Sequence, residues 1–431
     1  MSNTKSRKVT NTQINESIIS IIMLQNKYDV LIIGAGPSGT IAAALLKKKG
    51  YHVGIIEASK FPRFSIGESL LPQCMMILEK AGLLTAVQNA HFQCKNGAVF
   101  EYQKHHTAFN FEDKFTPGWD HTFQVERAKF DKILADEVEK NGVEIYYQQK
   151  VVDVDVSAQI QHIKTIDQHN VQHQYQARFI LDASGFARVL PKLLDLDCPS
   201  DFPPRMSLFT HIKDNIKTNA FDRNKILITV HPQNRNIWFW LIPFQNNKAS
   251  IGVVAESRYL LPDIDPKTQL KKLVYETPGM SCYLQHANWS ETVQSIHGFS
   301  SNVKSLYGQG FALLGNAGEF LDPVFSSGVT IAMKSAELAS TALDKQLRGQ
   351  KVDWEKDFAK PLQFGVNTFK AYVNAWYNHD LQDIIFAKTQ PAHIKQKICA
   401  VLAGYAWDSN NDYTVHAQRK LARLAQACRQ L

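Results

Sequence analysis

Two glycine-rich stretches, set far apart in the chain, hold the residue types best suited to chemistry. The first, Gly34-Ala35-Gly36-Pro37-Ser38-Gly39, has the G-x-G-x-x-G spacing of a pyrophosphate cradle. Its first glycine permits a tight bend, its second lets a phosphate approach the backbone, and its third lets helix and strand pack closely. The second stretch runs from Gly315-Asn316-Ala317-Gly318 through Asp322 to Ser326-Ser327-Gly328. Its small residues let backbone N–H groups approach a planar ligand. Ser326, Ser327 and Gly328 stand at a helix start, where free N–H groups can surround a small anion. The same Ser-Ser-Gly also suits a plain helix cap.

These residues need elements to hold them. Tyr28–Ile33 reads as a buried strand, Pro37–Lys49 as an Ala/Leu-rich helix, and His52–Ile56 as a second strand ending at Glu57. This is a βαβ opening, with Glu57 about 20 residues beyond the loop, where an acid meets ribose hydroxyls. A glycine loop in that setting points to a dinucleotide; an ordinary Gly-rich α/β turn is the alternative. Arg127–Asn141 predicts an amphipathic helix with Phe130, Ile133, Leu134 and Val138 on one face. Val143–Tyr147, Val151–Val156 and Arg178–Leu181 predict strands. Lys225–His231, Asn236–Pro243 and Lys248–Ala255 predict an antiparallel sheet roofing a ligand cavity. Phe311–Leu314 returns to the first lobe and Val329–Gln346 reads as helix. From Trp354 onward the pattern is mostly helical. The last helix packs Leu421, Leu424, Ala425 and Cys428 on the body, opposite Arg419, Lys420, Arg423 and Arg429.

Composition narrows the class. With 431 residues, 44% of them apolar, the chain suits two packed lobes or one large α/β unit with an insertion. A mean hydropathy of −0.25 and the lack of an apolar run of spanning length argue against an integral membrane segment. The net charge of +8 reads as a Lys-rich solvated surface, and no nucleic-acid motif accompanies it. Six scattered cysteines with no C-x-x-C pair favour reduced thiols in a cytoplasmic setting over a disulfide framework or a metal site.

Only one complete fingerprint is present, and Gly308-Gln309-Gly310 has no helix after it, so a second, nicotinamide-binding domain is not expected. Phe311–Pro323 resembles the second FAD motif of glutathione-reductase-type and hydroxylase-type flavoproteins. The resemblance implies cofactor contacts from Gly315, Asn316, Ala317 and Asp322. Asp182-Ala183-Ser184-Gly185 resembles their middle motif. Arg127, followed by Phe130-Asp131, resembles their cofactor-contacting arginine, and Val151 takes the place of an adenine-side strand residue. One departure stands out: the second motif normally reads Gly-Asp, whereas Asn316 keeps a hydrogen-bonding group here without its charge.

Phe61-Pro62-Arg63-Phe64-Ser65-Ile66-Gly67-Glu68-Ser69-Leu70-Leu71-Pro72 resembles the flavin-contacting strap of flavin-dependent halogenases that act on phenols and pyrroles. It implies cofactor contacts from Arg63, Ile66 and Gly67. Trp238-Phe239-Trp240-Leu241-Ile242-Pro243 matches their W-x-W-x-I-P signature at every fixed position. Leu321–Val329 resembles their halide-side loop, and Lys95-Asn96-Gly97-Ala98-Val99-Phe100 the segment carrying their active lysine. The resemblance runs from roughly Tyr28 to Leu343. Phe369-Lys370-Ala371-Tyr372-Val373 with Trp376-Tyr377 fits less distinctively. Tryptophan-type members carry a glutamate where Phe325 stands, which sets this chain nearer the phenol/pyrrole branch.

The resemblance implies a definite chemistry. Reduced FAD and O2 would oxidise a halide held by Ser326, Ser327 and Gly328, behind a partition of Trp238 and Trp240. Lys95, its pKa lowered, would pass the resulting hypohalous acid to an electron-rich ring. On residue type alone Lys95 reads as a surface lysine and the tryptophans as core. A separate flavin reductase would supply reduced FAD. The substrate would be phenol- or pyrrole-like, free or tethered to a carrier protein, with Phe111, Phe115 and Trp119 lining its cavity. Two other readings stay open: a related FAD-dependent monooxygenase or dehydrogenase without halide chemistry, and a non-catalytic flavin-binding or carrier-docking subunit.

The expected architecture is α/β. A Rossmann-like FAD-binding domain spans 28–200 and 301–346, an inserted antiparallel β-sheet substrate domain spans 201–300, and a helical C-terminal region spans 347–431. Residues 1–27 read as a dispensable extension, with Met23 an alternative start.

Overall fold

The computed structural model describes residues 27–430 apart from 201, 218–220, 262, 299–300 and 320. Nearly all of the extension expected over 1–27 thus lies outside the described residues. The first sheet grows from Lys27–Ile33, whose Val30, Leu31 and Ile32 are fully buried. Such a continuous apolar run suits a central parallel strand covered on both faces. Its parallel neighbours are Gln172–Asp182 and Val53–Glu57, with Phe311–Leu313 beyond the first and Glu144–Tyr147 beyond the second. The Gln172–Asp182 strand is longer than its apolar core predicts. Its first half pairs antiparallel with Gln161–Asp167, which pairs in turn with Gln149–Asp155. Helix Pro37–Lys47 starts at the glycine loop, and its small residues let Ser327–Leu347 pack alongside. The two glycine-rich stretches are thereby brought to one end of one sheet, outside the carboxyl ends of its strands, where open α/β sheets bind ligands.

The second sheet holds the three expected strands in antiparallel order, Lys225–Val230, Trp238–Pro243 and Lys248–Glu256, followed by Arg205–Lys213. Two further strands come from earlier in the chain. Gly97–Tyr102 runs parallel to Lys225–Val230, and His105–Asn110 completes a hairpin with it. The sheet is therefore mixed, and the segment just after Lys95 belongs to it. Every residue of Trp238–Pro243 is buried. Trp238, Trp240 and Ile242 join the core shared with the first lobe. Phe239 and Leu241 face a separate core under helices Pro266–Tyr275 and Pro278–Leu284. That two-sided burial is why the run lacks the polar alternation of a half-exposed strand.

The C-terminal region is helical, with Lys360–Tyr377 packed against Ser327–Leu347. Helix Ala417–Cys428 buries Leu421 and Ala425, while Arg429 pairs with Asp380 and Asp383 at 2.7 and 2.6 Å. Among the described residues no helix is long and apolar enough to cross a membrane.

Candidate active site

A cavity of about 690 Å³ lies between the two sheets. Its lining gathers Gly34, Gly36, Pro37, Ser38, Glu57, Arg63, Ile66, Gly67, Arg127, Val151, Trp238, Trp240, Asn316, Ser326 and Gly328. These are residues that the sequence pattern singles out from six separate regions. Ala35, Gly39, Asp182, Gly315, Ala317, Asp322, Ser327 and Lys95 are not among the lining residues.

At the nucleotide end the backbone dictates residue type. Gly34 has φ +101°, and a Cβ there would lie 2.6 Å from the Ala183 carbonyl oxygen. A Cβ on Gly39 would lie 1.9 Å from the Gly34 oxygen, so loop and helix touch backbone to backbone. Gly36 differs: the one neighbour its Cβ would meet is the Arg63 guanidinium, at 3.5 Å, and the space in front is open. Glu57 accepts from the Ala35 and Ser59 N–H groups, each at 2.8 Å, which fixes the carboxylate at the cavity edge. Arg127 grips Asp131 through Nε and Nη2 at 2.7 and 2.9 Å and donates from Nη1 to the Ile66 carbonyl at 2.5 Å. It therefore ties the strap to the body while lining the cavity. Asp182 is fully buried and accepts from the Ser184 and Leu190 N–H groups at 2.9 and 2.7 Å, shaping the Ala183–Gly185 turn that forms the wall. Burial pushes its carboxyl pKa up, against those hydrogen bonds.

At the other end Gly315 has φ +53°, and a Cβ there would lie 2.9 Å from that of Ala332, so the loop rests directly on the long helix. Arg188, which sequence reasoning missed, donates to the Asn316 and Ala317 carbonyls at 3.1 and 3.2 Å and braces this loop from behind. Its position just after the Asp182–Gly185 motif was the available signal. Asp322 accepts from the Val324 N–H at 3.1 Å and from the Tyr377 hydroxyl at 2.7 Å. Burial drives the Asp322 pKa up, opposed by the Tyr377 bond and nearby Arg205. Ser326 has φ +57°, and its side chain makes no capping bond to the helix it precedes. A Cβ on Gly328 would meet nothing within 4 Å. The start of this 21-residue helix thus faces the cavity with its first N–H groups uncapped by a side chain, a setting that favours an anion.

The indoles are fixed by polar ties as well as packing. Trp238 Nε1 donates to the Tyr377 hydroxyl at 2.9 Å, and Trp240 Nε1 donates to Ser250 Oγ at 3.1 Å. Tyr377 therefore links the Trp238 ring to Asp322 of the loop. The Trp240 ring lies over Gly252, where a Cβ would sit 2.3 Å from ring carbon, so the paired strand has room for glycine alone.

Lys95 ends a short strand paired with Thr122–Gln124 and is 1% exposed. Its Nζ donates to the Leu70 carbonyl at 2.9 Å and lies 5.4 Å over the Phe111 ring. Burial pulls the ammonium down to about 7, where the neutral amine becomes accessible at ordinary pH. Leu70, which holds the amine, directly follows Ser69 of the cavity lining, and Lys95 itself is not among the lining residues. Of the three aromatics expected around a substrate, Phe111 is buried beneath Lys95, Trp119 is half-buried, and Phe115 is 42% exposed. None of the three lines the large cavity. Phe325 packs edge-on against Tyr372 and Trp376. Among the described residues no cluster of His, Cys, Asp and Glu could hold a metal ion.

The cradle in front of Gly36, the fixed carboxylate of Glu57 and the cavity running on to the indoles fit an extended dinucleotide with a planar ring. This is a flavoprotein site. The FAD binding domain family matches residues 27–358. A 1H-pyrrole-2-carbonyl-[peptidyl-carrier protein] brominase of Pseudoalteromonas luteoviolacea is 30% identical over 337 residues, covering 77% of this chain and 80% of that one. A tryptophan 2-halogenase of Chondromyces crocatus is 27% identical, over 82% of this chain and 67% of its own length. Among solved structures, a flavoprotein/dehydrogenase of Cytophaga hutchinsonii superposes with a TM-score of 0.90 at 41% identity, covering 94% and 99% of the two chains. A flavin-dependent brominase follows with a TM-score of 0.78 at 25% identity, covering 94% and 100%. The chain belongs to the FAD-binding-domain family and, within it, to the flavin-dependent halogenases, and it is an oxidoreductase-type enzyme that uses FAD.

Proposed function

We propose that this protein halogenates an electron-rich aromatic ring, of phenol or pyrrole type and free or carrier-tethered, acting in the cytoplasm with reduced FAD from a separate flavin reductase. The observation that carries the reading is the buried Lys95 amine, held on the same strap that lines the cofactor cavity. Bound FAD, in its reduced form, supplies with O2 the oxidising power for the halide. Gly34 to Gly39 and Glu57 hold its nucleotide, while Arg63, Ile66, Gly67, Arg127, Val151 and Asn316 line the rest of its cavity. The start of helix Ser327–Leu347 receives the halide through N–H groups, in a site that Trp238 and Trp240 keep dry. Lys95, neutral near its pKa of about 7, takes electrophilic halogen from hypohalous acid as an N–X bond, releasing water. It then returns that halogen to a ring carbon, whose proton restores the amine.

Relatives named for pyrrole-2-carbonyl carrier substrates support the tethered-pyrrole form of this reading. The test supplies reduced FAD, O2 and bromide with phenolic and pyrrolic substrates and looks for brominated product by mass spectrometry. Product is expected; halide-independent turnover sinks the proposal. The 41%-identical flavoprotein/dehydrogenase favours a second reading, substrate oxidation without halide, which that outcome would support.

A further inference from the structure

One buried carboxylate holds two of the arginines that line the cofactor cavity. Asp131 is fully buried on helix Arg127–Lys140 and is not among the lining residues. Its Oδ1 accepts from Arg127 Nε at 2.7 Å. Its Oδ2 accepts from Arg127 Nη2 at 2.9 Å and from Arg63 Nη1 at 3.1 Å. Arg127 lies one helical turn before Asp131, whereas Arg63 comes from the strap, 68 residues away. Two guanidiniums brought to one point repel each other, and the shared carboxylate offsets that repulsion where little water can.

Each arginine keeps a further arm. Arg127 Nη1 donates to the Ile66 carbonyl of the strap at 2.5 Å, and a Cβ on Gly67 would lie 3.0 Å from the same nitrogen. The Arg63 guanidinium rests on the Phe61 ring, 4.7 Å from its centroid, with Nε 3.9 Å from Glu57 Oε1. Its Nη2 is the atom that a Cβ on Gly36 would meet, at 3.5 Å. That nitrogen therefore stands beside the second glycine of the cradle, where a pyrophosphate comes closest to the backbone. Arg63 lines the cavity and its side chain is 24% exposed, so a ligand there can reach it.

We propose that Asp131 is a positioning residue that aims Arg63 Nη2 at the cofactor pyrophosphate and, through Arg127, fixes the strap to the same point. The inference needs only the FAD cofactor class and not the halide chemistry proposed above. Pyrophosphate oxygens accept from Arg63 Nη2 in charge-assisted hydrogen bonds while Nη1 stays on Asp131. The strap is tied to Asp131 twice, by Arg63 itself and by the Arg127–Ile66 bond. Filling the nucleotide end thus steadies the strap. A lysine at position 63 cannot do both, because its ammonium is a single point charge without a fork.

The test uses the full chain, unaltered and as Asp131→Asn, Arg63→Lys and the double variant. ADP and adenosine are each titrated against bound FAD, and FAD release is read by flavin fluorescence. We expect each single variant to weaken ADP and FAD by about tenfold, adenosine by less than about twofold, and the double variant to be within about twofold of either. In FAD-free protein, amide hydrogen exchange over Phe64–Leu70 should slow when ADP is added, and should not respond in Asp131→Asn. Equal losses for ADP and adenosine, multiplied losses in the double variant, or a strap whose response to ADP survives Asp131→Asn overturns the assignment. Should Asp131→Asn fail to fold, Arg63→Lys decides. Weaker ADP with adenosine kept and the strap response lost supports the proposal, and any other result overturns it. No readout involves halide, so failure here leaves the halogenase reading standing, and absence of brominated product leaves this one.

Discussion

At one end of the cavity, Gly34 to Gly39 and Glu57 work through backbone, within a single βαβ turn. At the other, Trp238, Tyr377 and Asp322 come from three distant stretches and are joined by buried side-chain bonds, while the Lys95 amine is held separately on the Leu70 carbonyl. The first end depends on what is missing: no Cβ at Gly36, and none tolerated at Gly34 or Gly39. The second depends on what is buried, namely an amine, a carboxyl and two indoles. A local motif can survive many sequence changes around it, whereas a convergent one needs the whole fold to be right. The difference implies that substitutions at the nucleotide end act on cofactor affinity, and those at the chemistry end act on reaction or stability.

Trp240→Ala should have the largest effect, about 3–5 kcal/mol of stability in urea unfolding, because its ring fills the space over Gly252. A loss below about 1 kcal/mol would show that the indole is not part of the core. Lys95→Ala should lower halogenated product by at least about 100-fold with FAD affinity kept within a factor of three or so; parallel losses of both would erase the division between the two ends. Gly36→Val should weaken FAD by about 30-fold, roughly 2 kcal/mol, with the melting temperature of the FAD-free protein unchanged, since its Cβ meets only the Arg63 guanidinium, at an ordinary contact distance of 3.5 Å.

The Lys95 amine also predicts a pH dependence. Its pKa falls from 10.5 to about 7 on folding, so the fold favours the neutral form. That contribution is complete above pH 10.5 and is lost as pH falls toward about 7. Lys95→Met should therefore hold its denaturant midpoint over this window while the unaltered protein loses on the order of 5 kcal/mol. Identical slopes would mean the amine is hydrated. Asn316→Asp is the smallest expected change, a gain in FAD affinity of about threefold measured by titration; no gain would mean that the side chain does not meet the cofactor.

The βαβ opening and the W-x-W-x-I-P strand were legible because their signals are local: a glycine turn between strand and helix, and an unbroken apolar run. The Gly97–Asn110 hairpin was missed, since His105 and His106 are exposed and leave no apolar alternation to read. Arg188 and the pairing of His211 with Glu68 went unseen for a related reason, that a lone polar residue says nothing about the partner it will find. Phe115 and Trp119 are expected from the sequence to line a substrate cavity, and what only the structure adds is that loop 111–121 meets the C-terminal helices. There the Phe115 N–H donates to the Gln396 carbonyl at 3.0 Å, and Tyr405 donates to the Trp119 carbonyl at 2.9 Å.

By itself the sequence determined the glycine cradle, the acid after the second strand and the cofactor class, because backbone geometry there admits few residue types. Only the tertiary structure decided that Lys95 is dry, that Tyr377 joins an indole to the Ser326 loop, and that Glu68 pairs with His211. Burial and pairing are properties of the surroundings, and those surroundings are assembled from segments that share nothing along the chain.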